Sequence, residues 1–256
     1  MAKNELTTTT VDQFPALQQD SGISEMIVAN AGEGAGISPQ DLTTVPTPSG
    51  GGTTWQVPTI AGDEPTDELV GILAYQGVYG SLWPSEDPVE GTPPVLITRD
   101  LRVARRIGDD LGDLDEAELE KARRPDGLYD WKALSYTQMG TGKRGIGKRA
   151  KEGRIWALLR PGDVLPTILR IGPGSASKAQ SFLMQLVNAR VFYWQAVVGV
   201  SLKAATSKGG QRYSQHQYRL VERLTPEQGE LIKATYTDVL EGSLGEEIVA
   251  SGGDLG

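Results

Sequence analysis

Glycine and proline punctuate this chain heavily. With 32 Gly and 15 Pro in 256 residues, much of it is expected to be loop and turn between its helices and strands. Residues 1–50 are small and polar, interrupted by Gly32, Gly34, Gly36, Pro46 and Pro48, and read as a flexible arm with a short helix near 24–30. Residues 53–60 and 68–79 are rich in β-branched and aromatic types and read as strands around a Gly62-Asp63 turn. Gly71 and Gly77 inside the second strand predict a strong bend or a close backbone approach. A further strand is expected over 93–99 and a helix over 114–124, with acids at its start and Lys121, Arg123 and Arg124 in its last turn.

Residues 154–160 and 164–171 form a predicted hairpin about Pro161-Gly162-Asp163. An amphipathic helix follows over 177–189, capped by Ser175 or Ser177, with Phe182, Leu183, Leu186 and Val187 on one face. Two long strands, 192–203 and 211–224, come next. Thr225-Pro226-Glu227-Gln228 is a capping box opening a helix to about Leu240, and the last fifteen residues, Gly-rich and acidic, read as disordered. Strand and helix do not alternate regularly, which disfavours a parallel βαβ architecture. Strand, strand, hairpin, helix, strand, strand instead matches a five-stranded Greek-key barrel of the oligonucleotide-binding (OB) type, whose helix lies between the third and fourth strands. The expected fold is mainly β with added helices: an arm over 1–50, an OB-fold-like domain over 51–224 with an insertion at about 85–153, and a C-terminal helix and acidic tail over 225–256.

Composition removes most chemistry. The apolar fraction of 38% lies below the usual globular share of about 45–50%. The absence of Cys excludes disulfides, thiolate metal sites and cysteine nucleophiles. A single histidine, His216, leaves no basis for a His-built zinc site or a Ser-His-Asp triad, and in its run of alternating Gln215 and Gln217 it reads as an ordinary polar strand residue. The acids at Asp109, Asp110, Asp113 and Asp115 lack the order of a calcium loop and read as a solvated helix start. Neither metal, cofactor nor catalytic group is expected. The N-terminus lacks the basic-then-apolar order of a signal peptide and no apolar run reaches the 18 or so residues of a spanning helix, so a soluble intracellular protein is expected.

The formal net charge of −8 conceals a division. Residues 1–98 hold one basic group, Lys3, against thirteen carboxylates; residues 225–256 hold Lys233 against seven. Between Lys132 and Arg223 sixteen bases face only Glu152, Asp163 and Glu222, a net +13. A basic module between acidic flanks points to a polyanionic partner.

Within that module, Gly142-Lys143-Arg144-Gly145-Ile146-Gly147-Lys148-Arg149 approaches the phosphate-loop pattern, but Arg149 stands where the magnesium-binding hydroxyl belongs. No apolar strand ending in Asp supplies a second metal ligand. The run reads better as a mobile basic loop in which Lys143, Arg144, Lys148, Arg149, Lys151 and Arg154 reach successive phosphates while glycine leaves backbone N–H groups open to the anion. Tyr75, Tyr79, Trp83, Trp156, the Phe192-Tyr193-Trp194 run, Tyr213 and Tyr218 interleave with these charges. Cationic groove and aromatic faces together bind single-stranded nucleic acid without sequence preference. Period-two alternation sends Phe192 and Trp194 to one side of their strand and Tyr193 to the other, so at least one of the three is expected to face solvent or ligand.

Pro48-Ser49-Gly50-Gly51-Gly52-Thr53-Thr54-Trp55, then Gly71-Ile72-Leu73 with Trp83-Pro84 twelve residues after Gly71, resemble the first half of a group of proteins encoded by phages and mobile elements. Trp156-Ala157-Leu158-Leu159-Arg160-Pro161-Gly162-Asp163-Val164-Leu165-Pro166, the helix opening at Ser175, and Gly209-Gly210-Gln211-Arg212-Tyr213-Ser214 are similar to its second half. The resemblance runs from about Gly36 to Glu227. It implies an OB fold, single-stranded DNA as partner and a place in phage replication and recombination, in the cytoplasm of a bacterial host. The acidic ends have a use in such a protein, since a mobile polyanionic tail competes with DNA for the basic groove and can dock phage or host replication and recombination proteins. Many members carry several Cys between the Trp-Pro pair and the basic loop, resembling a zinc knuckle; residues 85–135 of this chain hold none.

The expectation is thus a non-catalytic, homo-oligomeric single-stranded DNA-binding protein without a membrane role. Its phosphate contacts are Lys143, Arg144, Lys148, Arg149, Lys151, Arg154 and Arg212, and its stacking rings are drawn from Tyr75, Tyr79, Trp83, Trp156, Tyr193 and Tyr213. The alternative is a virion structural or assembly protein, a β-rich domain with no DNA role.

Overall fold

The chain builds one large mixed sheet on a long, bent central strand. The structure, a computed structural model, describes residues 13–17, 42–89, 91–207, 209–237 and 240. The proposed helix near 24–30 and the acidic tail lie outside the described residues. The strands are β1 (Thr44–Val45), β2 (Trp55–Thr59), β3 (Gly62–Thr66), β4 (Glu68–Leu82), β5 (Leu96–Thr98), β6 (Val103–Arg106), β7 (Tyr129–Asp130), β8 (Lys151–Leu159), β9 (Thr167–Ile171), β10 (Ala196–Thr206) and β11 (Arg212–Arg223). The α-helices among the described residues are α1 (Glu116–Lys121), α2 (Pro173–Asn188) and α3 (Pro226–Ile232).

β4 organises everything else. Its first half pairs with β10 through Glu68 to Ile72, its middle and end with β8, and its last three residues with β5. One path therefore runs β1-β9-β8-β4-β5-β6-β7, and a branch leaves β4 through β10 to β11. All these pairings are antiparallel except β1 with β9. β2 and β3 form a separate hairpin whose turn sits at Ile60-Ala61; Gly62-Asp63, read from sequence as the turn, opens β3 instead.

Both faces of the central strands are buried, each against its own core. One side holds Ile72, Ala74, Ile155, Ala157, Ile168 and Val197 with Phe14, Leu42, Ile232 and Tyr236; the other holds Leu69, Leu73, Trp156, Leu158, Leu169, Val198 and Val200 under the apolar face of α2. A bulge in β4 falls at Ala74, between the partners Leu73↔Leu158 and Tyr75↔Ala157. It reverses which parity faces which core: Val70, Ile72 and Ala74 face the first before it, Tyr75 and Tyr79 after it. Gly71 allows the close approach that its sequence position predicts, since a Cβ there would stand 2.7 Å from the Leu159 carbonyl oxygen.

The sheet is not closed into a barrel. No ladder joins β9 to β11 among the described residues; α2, which connects β9 to β10, packs against β8, β9 and β11 in that gap. Three sequence expectations change here. Phe14, Ala16, Leu42 and Val45 are buried, and β1 extends the sheet, so this part of the expected arm belongs to the core. α2 starts earlier, with Gly172 as its cap and Pro173 in its first turn, and Val187 is 62% exposed rather than on the buried face. Residues 193–195 form a 3₁₀ turn before β10 begins.

The hairpin of β8 and β9 and the capping box of α3 appear as read, the latter with the Gln228 N–H donating to Thr225 Oγ1 at 3.3 Å and the Thr225 N–H to Gln228 Oε1 at 2.9 Å. The insertion over about 85–153 builds a third core of Leu82, Leu96, Leu114, Leu119, Tyr129, Trp131 and Leu134, with β5 to β7 prolonging the sheet. No helix of the described residues is long and apolar enough to cross a membrane.

Candidate nucleic-acid interface

The basic loop between the third core and β8 is closed on itself. The N–H groups of Gly140 and Gly142 donate to the Gly147 carbonyl at 2.7 and 3.3 Å, and that of Gly145 to the Gly142 carbonyl at 2.8 Å. Gly140, Arg144, Gly145 and Gly147 all take positive φ, which explains the glycine density by backbone conformation. A Cβ on Gly142 would overlap the Ile146 carbonyl. The N–H groups expected to stay open for an anion are in this part spent on the loop itself.

Its cations have separate fates. Arg149 is 5% exposed: its Nη2 donates to Asp113 Oδ1 at 2.6 Å and to the Trp83 carbonyl at 3.0 Å, and Glu86 lies 4.0 Å from Nε. It ties the loop to the insertion and is removed from the expected phosphate contacts, because the guanidinium is consumed by partners inside the fold. Lys148 pairs with Glu152 at 2.7 Å, and the same carboxylate accepts from Trp131 Nε1 at 2.8 Å. Lys143, exposed, pairs with Asp87 and holds that carboxyl below the ordinary carboxylate range. Arg144 is exposed at φ 56°, with no ion pair among the described residues. Lys151, half-buried, opens β8.

Most of the proposed stacking rings are core. Trp156 is fully buried, 4.7 Å from the Tyr218 ring and 6.0 Å from that of Phe182. Tyr79 is buried against Gly153, and burial pushes its phenol up to about 12, the Arg170 charge opposing. Trp83 is buried with Nε1 donating to Ser81 Oγ at 3.0 Å. These three are corrected to structural residues, since both faces of β4 and β8 are covered. Tyr75, Tyr193 and Tyr213 stay half-buried.

What the fold assembles is a polar strip along the first half of α2. Arg154 donates to Gln76 Oε1 at 3.1 Å and to Gln180 on α2; burial lowers its guanidinium below the ordinary value, and the neighbouring Tyr218 oxygen opposes the shift. Lys178 Nζ donates to Gln217 Oε1 at 2.9 Å. Gln215 Nε2 donates to the Gly174 carbonyl at 3.2 Å and to the Tyr213 hydroxyl at 3.3 Å. The Tyr213 ring lies so close over Gly174 that a Cβ there would stand 2.8 Å from it. Arg212, exposed, opens β11 with its Cβ on the Gly51 side of the strand, the face away from Tyr213. At the tip of the β10–β11 hairpin, Ile146 of the basic loop reaches within 4.0 Å of where a Gly209 Cβ would stand, so loop and hairpin meet. Lys178, Gln180, Gln215 and Gln217 escaped the sequence reading. The alternation of Gln215 and Gln217 about His216 carried a signal for two of them, one that gained meaning only beside α2.

His216 is not an ordinary strand residue. It is buried with Nε2 2.9 Å from Thr47 Oγ1 and Nδ1 3.3 Å from the Tyr218 hydroxyl, its ring edge-on to Trp55 at 5.2 Å. Burial lowers its pKa to about 4. Among the described residues no three His, Asp or Glu side chains gather as for a metal ion. Comparison of the chain with protein-family models, with curated proteins and with solved structures finds no match.

Proposed function

We propose that this protein binds single-stranded DNA without sequence preference and performs no catalysis. One observation carries the reading: the cations Arg154 and Lys178 stand with the Tyr213 ring on a strip of amide side chains along α2, next to the basic loop that meets the β10–β11 hairpin. Cations for phosphates beside an accessible ring for a base is the arrangement sequence-tolerant binding requires. The strand order supports it. β4, β8, β9, α2, β10 and β11 follow one another as the strands and helix of an OB fold do, with the first strand paired to the fourth. OB folds are often partly open, and the loops flanking their groove are the equivalents of the two that meet here at Ile146 and Gly209. A role in phage replication and recombination, in a bacterial cytoplasm, belongs to the same proposal through the resemblance in sequence.

The test is titration of a fluorescently labelled oligo(dT) by anisotropy at several salt concentrations. With three to five phosphates neutralised, the slope of log K against log salt is expected at about −2 to −3.5 for single strands. No binding at low salt by protein shown folded by circular dichroism overturns the proposal, and regular oligomers indifferent to DNA would favour the structural alternative.

A further inference from the structure

We infer that Phe192 and Trp194 form a second stacking ledge for a base of single-stranded DNA, at the opposite end of α2 from Tyr213. The inference rests on the proposed function and extends it to a site that its loop cations do not include.

The ledge is built before any ligand arrives. Phe192 is 59% exposed, yet its ring lies 4.8 Å from that of Trp194 at an interplanar angle of 6°. Two parallel, offset-stacked rings leave the outer Phe192 face bare, and a planar base adds to such a stack as its next ring. Tyr193 meets Trp194 edge-on at 4.9 Å and Lys233 sits 5.4 Å from the Trp194 ring centre, so the inner ring is held from two more sides.

The backbone is equally held. The Gln195 N–H donates to the Phe192 carbonyl at 2.9 Å, the Leu224 N–H to the Gln195 carbonyl at 2.8 Å, and a Cβ on Gly229 of α3 would collide with Gln195. Pre-ordered rings lose little entropy on binding. Cations adjoin them: Arg223 Nη2 donates to the Arg190 carbonyl at 3.1 Å, and both residues are exposed.

Position completes the argument. α2 has sixteen residues, about 24 Å at 1.5 Å per residue. Tyr213 lies over its second residue, and Phe192 follows four residues after its end. A strand contacting the basic loop and Tyr213 at one end would need to run the length of the helix to reach the ledge, so the ledge matters only for longer ligands. Trp194, packed against the first core, is also the one tryptophan that is only partly buried: Trp55, Trp83, Trp131 and Trp156 are all buried. Quenching of intrinsic fluorescence by a stacked base must therefore pass through it.

The experiment compares labelled oligo(dT) of about 4 and about 16 nucleotides, the range of site sizes for one such domain. The proteins are the full-length wild type, Phe192→Ala, Phe192→Trp and Trp194→Phe. Phe192→Ala is expected to weaken the long oligonucleotide by about 5- to 100-fold, as loss of one stacked base does, to leave the short one within about twofold, and to be rescued by Phe192→Trp. Trp194→Phe is expected to remove the fluorescence quenching seen with the long ligand. Unchanged affinity of Phe192→Ala for both lengths overturns the ledge while leaving the DNA-binding reading intact, as does quenching that survives Trp194→Phe. A lowered oligomeric mass of Phe192→Ala by light scattering, with DNA affinity unaltered, would reassign the ledge to protein contact. Failure of the wild type to bind either oligonucleotide overturns function and ledge together.

Discussion

Arg149 turns its guanidinium into the molecule, 2.6 Å from the Asp113 carboxylate and 3.0 Å from the Trp83 carbonyl. A buried guanidinium stripped of its partners is costly, and a truncated one leaves the Trp83 carbonyl and Asp113 without their donor. Arg149→Ala is expected to destabilise the fold by about 2 kcal/mol, short of the full cost of a buried pair because the Asp113 side chain is largely exposed. Arg144→Ala, in the same loop but exposed, is expected to leave the melting temperature unchanged and to reduce the salt slope of oligo(dT) binding by about 0.7. Thermal denaturation and salt titration of both variants check the pair; equal effects on stability would refute the distinct roles.

Trp156 fills the core between Phe182 and Tyr218. Trp156→Ala should cost about 3–5 kcal/mol by cavity formation. Trp156→Phe should cost far less, since the indole N–H it removes has no hydrogen-bond partner among the described residues. Urea unfolding measures both, and a small loss for the alanine variant would return this ring to the surface.

His216 makes stability depend on pH. Its folded value, about 4, lies below the ordinary 6.5, so the unfolded chain binds the extra proton between these limits. Stability is full above pH 6.5 and falls as the pH drops toward 4, by about 3 kcal/mol in total. His216→Gln should flatten this interval relative to the wild type in urea titrations at pH 7.5 and 4.5. Parallel losses in both proteins would place the acid sensitivity elsewhere.

Gly71 sits where β4 passes close to the end of β8. Gly71→Ala would place a methyl 2.7 Å from the Leu159 carbonyl oxygen, and backbone on both sides cannot yield without disturbing the β4–β8–β10 pairing. A loss of about 1–3 kcal/mol is expected, whereas Gly147→Ala, with open space around it but positive φ, should cost about 1 kcal/mol from backbone strain alone. Denaturant midpoints compare them; the reverse ranking would contradict the packing described for β4.

Local chemistry determined what could be read from the sequence alone. Pro161-Gly162-Asp163 makes the β8–β9 turn, Thr225 and Gln228 cap α3, and the spacing of Phe182, Leu183 and Leu186 lays α2 on a core. Each follows from residues within a few positions of one another. The order of strands and helix, and the mainly β class, came from the same punctuation.

Tertiary structure decided the rest, because exposure in a sheet depends on what covers each face. The bulge at Ala74 reverses the parity of β4 and turns Tyr79 toward the first of two cores, and with both faces covered it is buried. Packing of α2 seals Trp156, while the 3₁₀ turn at 193–195 leaves Phe192, on the same side as Trp194 as alternation expected, exposed on the outside of their ring stack. Arg149 and Lys148 look alike in the sequence; partners at Asp113 and Glu152 bury one and half-cover the other. Charge composition determined that residues 132–223 carry an excess of cations, and long-range pairing decided which of them stay exposed.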